Sequence, residues 1–347
     1  MLSAAVAMQG RGHRVLLLVQ PGSELASRGR QSGLEVAEVR LGGWLDPASL
    51  AGLAAQFRRA RVDVVCANLD KEIRQARLAA MLAGRSIKLV ARRGSPDPIK
   101  DNWHYRLVYD HGLQRLICNC EALVESVCSR ATWFDRSRVR VIYNGVDLDA
   151  LEARAGVGDV RTELEIPADG LVVSCVGEVG WRKGQEHVLA AAAALKDRFP
   201  SAVWLIAGEG DGRADLEAKA LSAGLLDDGR VRFLGFRRDV PAILKATDIL
   251  VLPSRMEGFP NTLLEGMALG LPVAASNADG IPELVEHEGT GLVHEVDDVE
   301  LFTAHVGRLL AEESTRSEMG LAGVARVRER FTEDVVMDQL ESCLCCW

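Results

Sequence analysis

The chain has 347 residues, more than one hydrophobic core usually organises, so two domains are expected. About half of it (48%) is hydrophobic, yet no run reaches about 18 uninterrupted apolar residues, which excludes a membrane-spanning helix. The net charge of −8 is unevenly shared: residues 1–145 hold 22 Lys and Arg against 13 Asp and Glu, a net +9, and the rest hold 19 against 36, a net −17. Such asymmetry points to different partners for the two halves, or to uneven solvated surface, and no nucleic-acid partner is expected. The eight cysteines lie scattered in apolar segments rather than spaced as a framework, so a reducing cytoplasm is expected. Cys343, Cys345 and Cys346 cluster at the end without a second ligand set or a nearby His, which argues against a metal.

The start, Met1 to Met8, is apolar but has neither a basic n-region nor a convincing cleavage site, so a signal peptide is not expected there. Met1 to Gln9 reads as the end of a helix, and Gly10-Arg11-Gly12-His13-Arg14 turns into a strand at Val15 to Val19. Short apolar runs follow at Val62 to Cys66, Ile87 to Ala91, Leu116 to Cys118 and Val139 to Ile142. Between them Leu50 to Ala60, Glu72 to Leu82 and Glu121 to Cys128 have helical periodicity. This alternation implies a parallel α/β sheet, whose ligands gather outside the carboxyl ends of its strands. Arg92-Arg93-Gly94-Ser95 stands at such an end, with Lys100 to Arg106 soon after. Arg92 and Arg93 are candidates for gripping acceptor phosphates or an anionic membrane surface; a ligand-free surface loop is the alternative. His104 is a weaker candidate.

Val141-Ile142-Tyr143-Asn144-Gly145-Val146-Asp147 closes this half, Asn-Gly supplying a turn of positive φ. Residues 146–170 read as a link. A second α/β series opens with the strand Leu171 to Val176, followed by Gly177-Glu178-Val179-Gly180-Trp181-Arg182-Lys183-Gly184 and a helix. Ala202 to Ala207 runs into Gly208-Glu209-Gly210-Asp211-Gly212, whose glycines read as a plain turn, and Val231 to Phe236 includes Gly235 and Phe236. The apolar strand Ile249 to Leu252 then enters Pro253 to Glu265. Helical spacing of Leu263, Leu264, Met267 and Ala268, with Asn261 as N-cap, places a helix N-terminus beside this loop. Unpaired N–H groups and the helix dipole favour an anion there. Glu257 and Glu265 bracket the loop with seven residues between them, and carboxylates accept hydrogen bonds from sugar hydroxyls. Asp279-Gly280-Ile281-Pro282-Glu283 starts another loop and helix. From Asp298 the chain is largely helical, with helices expected at Ala325 to Phe331 and Val335 to Leu344.

Glu257 and Glu265 with Gly258-Phe259-Pro260, Lys183-Gly184, Gly208 to Gly212, Val231 to Phe236 and Asp279 to Leu292, all in register, resemble the retaining glycosyltransferases of the GT-B fold, family 4. The resemblance covers nearly the whole chain and is more specific after Leu171. It departs at Glu178, where the family usually has Arg; Arg182 stands beside Lys183 instead. It implies two Rossmann-like parallel-sheet domains facing a cleft: 1–145 on the acceptor side, 171–330 for the nucleotide-sugar, and 331–347 packing back on the first. The family's first strand and Gly-rich loop are not found before Val15, so the first domain is expected to lack its first strand. By resemblance Lys183, Arg182 and Glu257 are catalytic. Glu265, Gly258, Phe259, Asn261, Thr262, Leu263, Gly235 and Phe236 bind the donor, Glu265 at the ribose and the first-turn N–H groups at the distal phosphate. The donor would be UDP- or GDP-linked, with no cofactor and no metal. The implied enzyme moves a sugar, with retention, to a glycan or lipid-linked acceptor in cell-envelope polysaccharide or lipopolysaccharide synthesis, in the cytoplasm or peripheral on the inner face of the membrane. Alternatives are a nucleotide-sugar-binding protein with little turnover and another GT-B enzyme such as a sugar-nucleotide epimerase.

Overall fold

The computed structural model describes residues 2–43, 45–94, 98–129, 131–227 and 229–345. Met1, Ser95 and Cys346, all named above, lie outside them. The chain divides into two compact units, residues 1–142 with 337–347 and residues 143–336.

Among the described residues the first unit holds six short strands, β1 (Leu16–Val19), β2 (Glu35–Glu38), β3 (Val64–Ala67), β4 (Lys88–Arg93), β5 (Leu113–Cys118) and β6 (Val139–Val141). All pair in parallel, but in two pieces: a two-stranded sheet β1-β2 and a four-stranded sheet β3-β4-β5-β6. Joining them would take a strand bonded on both sides. Strand β2, Glu-Val-Ala-Glu, escaped the sequence reading because its glutamates break the apolar run. Residues 337–345 belong to this unit: Met337, Leu340 and Cys343 are buried, Arg11 donates to Asp338 (2.5 Å) and Glu341 (3.0 Å), and His13 pairs with Glu341 at 2.6 Å.

The second unit holds β7 (Val172–Val176), β8 (Val203–Ala207), β9 (Val231–Gly235), β10 (Ile249–Leu252), β11 (Val273–Ser276) and β12 (Gly291–His294). They form one parallel sheet in the order β12-β11-β10-β7-β8-β9. Strands β7, β8, β10 and β11 are buried along their whole length, as expected where helices cover both faces. The chain builds outward from β7 to β9 on one side, then returns to β10 and builds outward to β12. The strand order therefore reverses between β7 and β10. A crevice opens at such a switch point outside the carboxyl ends of the strands, where open α/β sheets bind ligands.

Three expectations change here. The stretch read as a link is helical at Leu148–Ala155 and Val160–Glu163, each N-capped by an aspartate, Asp147 and Asp159, and clusters with the second unit. Neither Asn144 nor Gly145 takes a positive φ. Gly145 is needed for space: a Cβ there would come within 3.1 Å of the Glu333 backbone and the Val336 side chain. The helix expected from Ala325 begins at Glu313 and runs 18 residues to Arg330, its polar first half having hidden it.

Candidate active site

Two loops leave the sheet at the switch point. The first follows β7 and runs from Gly177 to Gly184, ending in a 3-10 turn at Trp181–Lys183 before the helix Gln185–Leu195. Its glycines are required by close approach. Gly208 has a φ of +147° and a Cβ on it would overlap the Gly177 carbonyl; a Cβ on Gly210 would overlap that of Val179. The motif read as a plain turn is the seat of the β7 loop. The buried Gln185 holds the loop from the other side, its amide donating to the Glu178 carbonyl (2.8 Å) and accepting from the Gly180 N–H (3.3 Å).

The second loop follows β10. Gly184, at φ +63°, lies so close that a Cβ would overlap the Pro253 carbonyl oxygen. The backbone N–H of Arg255 donates to the Arg182 carbonyl at 2.7 Å. These contacts bring Lys183 to Glu257, and the ammonium donates to Glu257 Oε1. Glu257 is buried, and Ser254 Oγ donates to the same oxygen at 2.9 Å. The backbone N–H of Glu257 donates to Asp279 Oδ2 at 2.7 Å, with Asp279 itself in the left-handed region at φ 43°. Below them Ser276 Oγ donates to the Ser254 carbonyl at 2.5 Å. Ser254, Gln185 and Asp279 are not assigned from the sequence: the side chains of Ser254 and Gln185 bond to groups only three to seven residues away, without a motif of their own, and Asp279 meets the Glu257 N–H across 22 residues.

Past Pro260 the helix Asn261–Ala268 begins. Its N-cap is Pro260, not Asn261, and among the described residues no side chain caps it. Proline at φ −74° leads the chain into the helix, and its ring offers no acceptor, so the first-turn N–H groups of Asn261, Thr262 and Leu263 lack a cap. Asn144 occupies the side of this corner, its amide donating to the Phe259 carbonyl and to Asn261 Oδ1, both at 2.9 Å. One turn into the helix, Glu265 has no hydrogen-bond partner for its carboxylate among the described residues. Burial raises its pKa, with Arg154 opposing. A half-buried carboxylate without donors is a group that a hydroxyl-bearing ligand satisfies.

The remaining sequence candidates fall into place differently. Arg182 contributes its carbonyl to the loop contact while its side chain stands exposed, without an ion pair among the described residues. Phe259 is buried between Tyr143 and Phe331, with ring centroids 5.0 and 5.2 Å away, so its side chain is core and only its backbone faces the corner. Gly258 and Leu263 are buried, Thr262 partly so. Gly235 turns at φ +66° and leaves the ring of Phe236 69% exposed. In the first unit Arg93 is only 7% exposed, its guanidinium bound to Asp70 and to the Tyr109 hydroxyl (3.2 Å). Tyr105 and Tyr109 hydroxyls donate to the same carboxylate at 2.9 and 2.6 Å. Attraction to Arg93 and these hydroxyls outweighs burial and lowers the Asp70 pKa. Arg93 thus organises the ends of β3 and β4 from inside, while Arg92 is half-exposed. Cys343 is buried and Cys345 exposed, and no metal-holding group of three or more His, Cys, Asp or Glu gathers among the described residues.

The end of β12 carries a different titratable group. His294 is 2% exposed, between Phe302 and His305 with ring centroids 5.1 and 6.1 Å away, and neither ring nitrogen has a hydrogen-bond partner among the described residues. Burial, helped by His305, pushes its pKa down to about 4, with Asp298 pulling the other way. A pKa below the unfolded value means that the unfolded chain takes up a proton first. Stability is therefore full above about pH 6.5 and falls as pH drops toward 4, by about 3 kcal/mol from this group. Urea unfolding at pH 7 and pH 4.5 should show a smaller acid loss in His294→Leu than in wild type; equal losses would exclude His294 as the source.

Residues 158–325 match the family described as Glycosyl transferases group 1, and residues 1–150 match Glycosyltransferase Family 4. Over 267 residues the chain is 30% identical to an Escherichia coli UDP-Gal:alpha-D-GlcNAc-diphosphoundecaprenol alpha-1,3-galactosyltransferase, covering 74% of this chain and 68% of that one. It is also 30% identical, over 67% of its length and 64% of the relative's, to the lipopolysaccharide core biosynthesis glycosyltransferase LpsE of Rhizobium meliloti. Among solved structures, Anabaena HepE in complex with UDP and glucose superposes with a TM-score of 0.83 at 21% identity, over all of this chain and 95% of that one. The parallel-sheet architecture is that of the GT-B glycosyltransferases, and the chain belongs to the group 1 glycosyl transferases, family 4.

Proposed function

We propose that the protein transfers a hexose, with retention of anomeric configuration, from a UDP- or GDP-linked donor to a lipid-linked or lipopolysaccharide glycan. The observation that carries this reading is the Lys183–Glu257 pair beside the uncapped N-terminus of the helix Asn261–Ala268, at the switch point of the sheet. The first-turn N–H groups and the helix dipole receive the distal phosphate. Lys183 and the exposed Arg182 oppose the charge that grows on the departing diphosphate. Glu265 takes the ribose hydroxyls and Glu257 a hydroxyl of the sugar, while the ring of Phe236 lies open for the nucleobase. The acceptor attacks from the face that the diphosphate leaves, and the leaving oxygen takes the acceptor proton. These groups carry the transfer without a metal.

The names of the E. coli and R. meliloti relatives support a diphospholipid-linked or lipopolysaccharide acceptor. The +9 charge of residues 1–145 supports an anionic one, and near an anionic leaflet each surface Lys or Arg adds on the order of 1 kcal/mol. Among the described residues no helix is long and apolar enough to cross a membrane, so attachment would be peripheral. The test is a panel of UDP- and GDP-sugars assayed with undecaprenyl-diphosphate-linked acceptors, with the anomer of the product read by NMR. One donor should turn over with retention; inversion, or no turnover of any donor, contradicts the reading. Sedimentation with anionic vesicles at low salt, lost at high salt, is expected in the same preparation, and indifference to anionic lipid would remove the membrane part.

A further inference from the structure

The turn that carries Lys183 is not held by apolar packing. None of Trp181, Arg182 and Lys183 is buried, and the Trp181 ring is 66% exposed. A segment with so little buried surface opens easily unless polar groups tie it down. One side chain ties the turn to three neighbouring segments. Arg255 Nη1 donates to the Trp181 carbonyl at 2.7 Å and pairs with Glu186 at 2.7 Å. Its Nε pairs with Asp297 at 2.8 Å, and its Nη2 lies 3.2 Å from His187 Nε2. The guanidinium also sits 5.3 Å from the centre of the Trp181 ring.

Four segments thus meet on one planar cation: the 3-10 turn, the first turn of the helix Gln185–Leu195, the β10 loop and the turn after β12. Asp297 reaches it from the left-handed region, at φ 65°, which an L-residue adopts only where its surroundings require it. Within the β10 loop Arg255 lies two residues before Glu257, and its own N–H holds the Arg182 carbonyl. The same residue therefore fixes both ends of the Lys183–Glu257 pair without touching either charged group.

We propose that Arg255 is the positioning residue that keeps Lys183 in register with Glu257 during transfer, an inference that rests on the role assigned to Lys183 above. A lysine cannot substitute fully: its single ammonium does not span the Trp181 carbonyl, Glu186 and Asp297 at once. Misplacing a catalytic group by about 1 Å can cost on the order of 10²-fold in rate.

The test compares Arg255→Ala and Arg255→Lys with wild type on two readouts. The first needs no substrate: acylation of lysines by an acetylating reagent, followed by mass spectrometry, with the exposed Lys196, Lys219 and Lys245 of the same unit as references. In Arg255→Ala, labelling of Lys183 should rise several-fold against those references, with Arg255→Lys between. The second is donor turnover, expected to fall roughly 10- to 10²-fold in Arg255→Ala, in kcat more than in KM. The double variant with Lys183→Ala should be no slower than Lys183→Ala alone, as two groups acting through one contact are not additive. Unchanged relative labelling of Lys183, a uniform rise at all lysines, or multiplicative losses in the double variant would each overturn the proposal. Wild-type turnover in Lys183→Ala itself would instead remove the role of Lys183, whatever the labelling shows.

Discussion

Replacement of Lys183 by alanine is expected to lower sugar transfer by on the order of 10² to 10³ while moving the melting temperature by only a few degrees. The ammonium faces Glu257 in the free protein and would face the diphosphate as negative charge collects on it. A cation fixed in place before the reaction costs no reorganisation when that charge develops, which is why removing one such group is expensive in rate. The stability cost is smaller for a visible reason. The Lys183 side chain keeps 22% of its surface in solvent, and Glu257 retains the hydroxyl of Ser254 when the cation is gone. Steady-state assays beside thermal melts of the two proteins decide it. Wild-type turnover, or a melting loss that accounts for the missing activity, would contradict the assignment.

Gly208→Ala is expected to act the other way round, through the fold. At φ +147° an alanine is strained, at about 1 to 3 kcal/mol, and its methyl would overlap the Gly177 carbonyl, which adds a similar amount. Relief by backbone shift is blocked on both sides. The Gly208 N–H is bonded to the Gly235 carbonyl at 2.8 Å, and the Gly177 N–H to the Ala207 carbonyl at 2.9 Å. A loss of about 3 to 5 kcal/mol in urea unfolding should result, together with loss of nucleotide binding as the β7 loop lifts. A loss within about 0.5 kcal/mol, as at an ordinary surface position, would show that the loop is not seated on this glycine.

Much of the second unit was legible before any coordinates. Its strands are short, largely apolar runs because both faces are covered, and its loops carry the glycines that close approach demands. The carboxylate pair and Lys183-Gly184 were visible as spacings along the chain. Much of what escaped depends on contacts distant along the chain. Asp279 becomes meaningful only when β10 and β11 lie side by side, which puts it against the N–H of a residue 22 positions away, and the Ser254 carbonyl meets Ser276 across the same span. Arg93 read as a phosphate ligand because a basic pair at a strand end looks available. Its partner Asp70, 23 residues earlier, starts the helix Asp70–Ala83 after β3 and takes up the guanidinium. Phe259 sits inside the motif by sequence but packs into the aromatic core with Tyr143 and Phe331. Asn261 has the chemistry of an N-cap, yet Pro260 enters the helix first and moves it to the opening helical position.

Calorimetric titration of UDP and GDP into wild type, Glu265→Ala and Glu257→Ala tests most directly whether the β10 loop is the nucleotide-sugar site. Wild type should bind one of the two. Glu265→Ala should lose on the order of 10- to 10²-fold in affinity, the worth of hydrogen bonds from hydroxyls to a charged acceptor. Glu257→Ala should bind the sugar-free nucleotide nearly as wild type does, because its partner would be the sugar. Equal losses in the two variants, or wild-type affinity in Glu265→Ala, would place the nucleotide elsewhere.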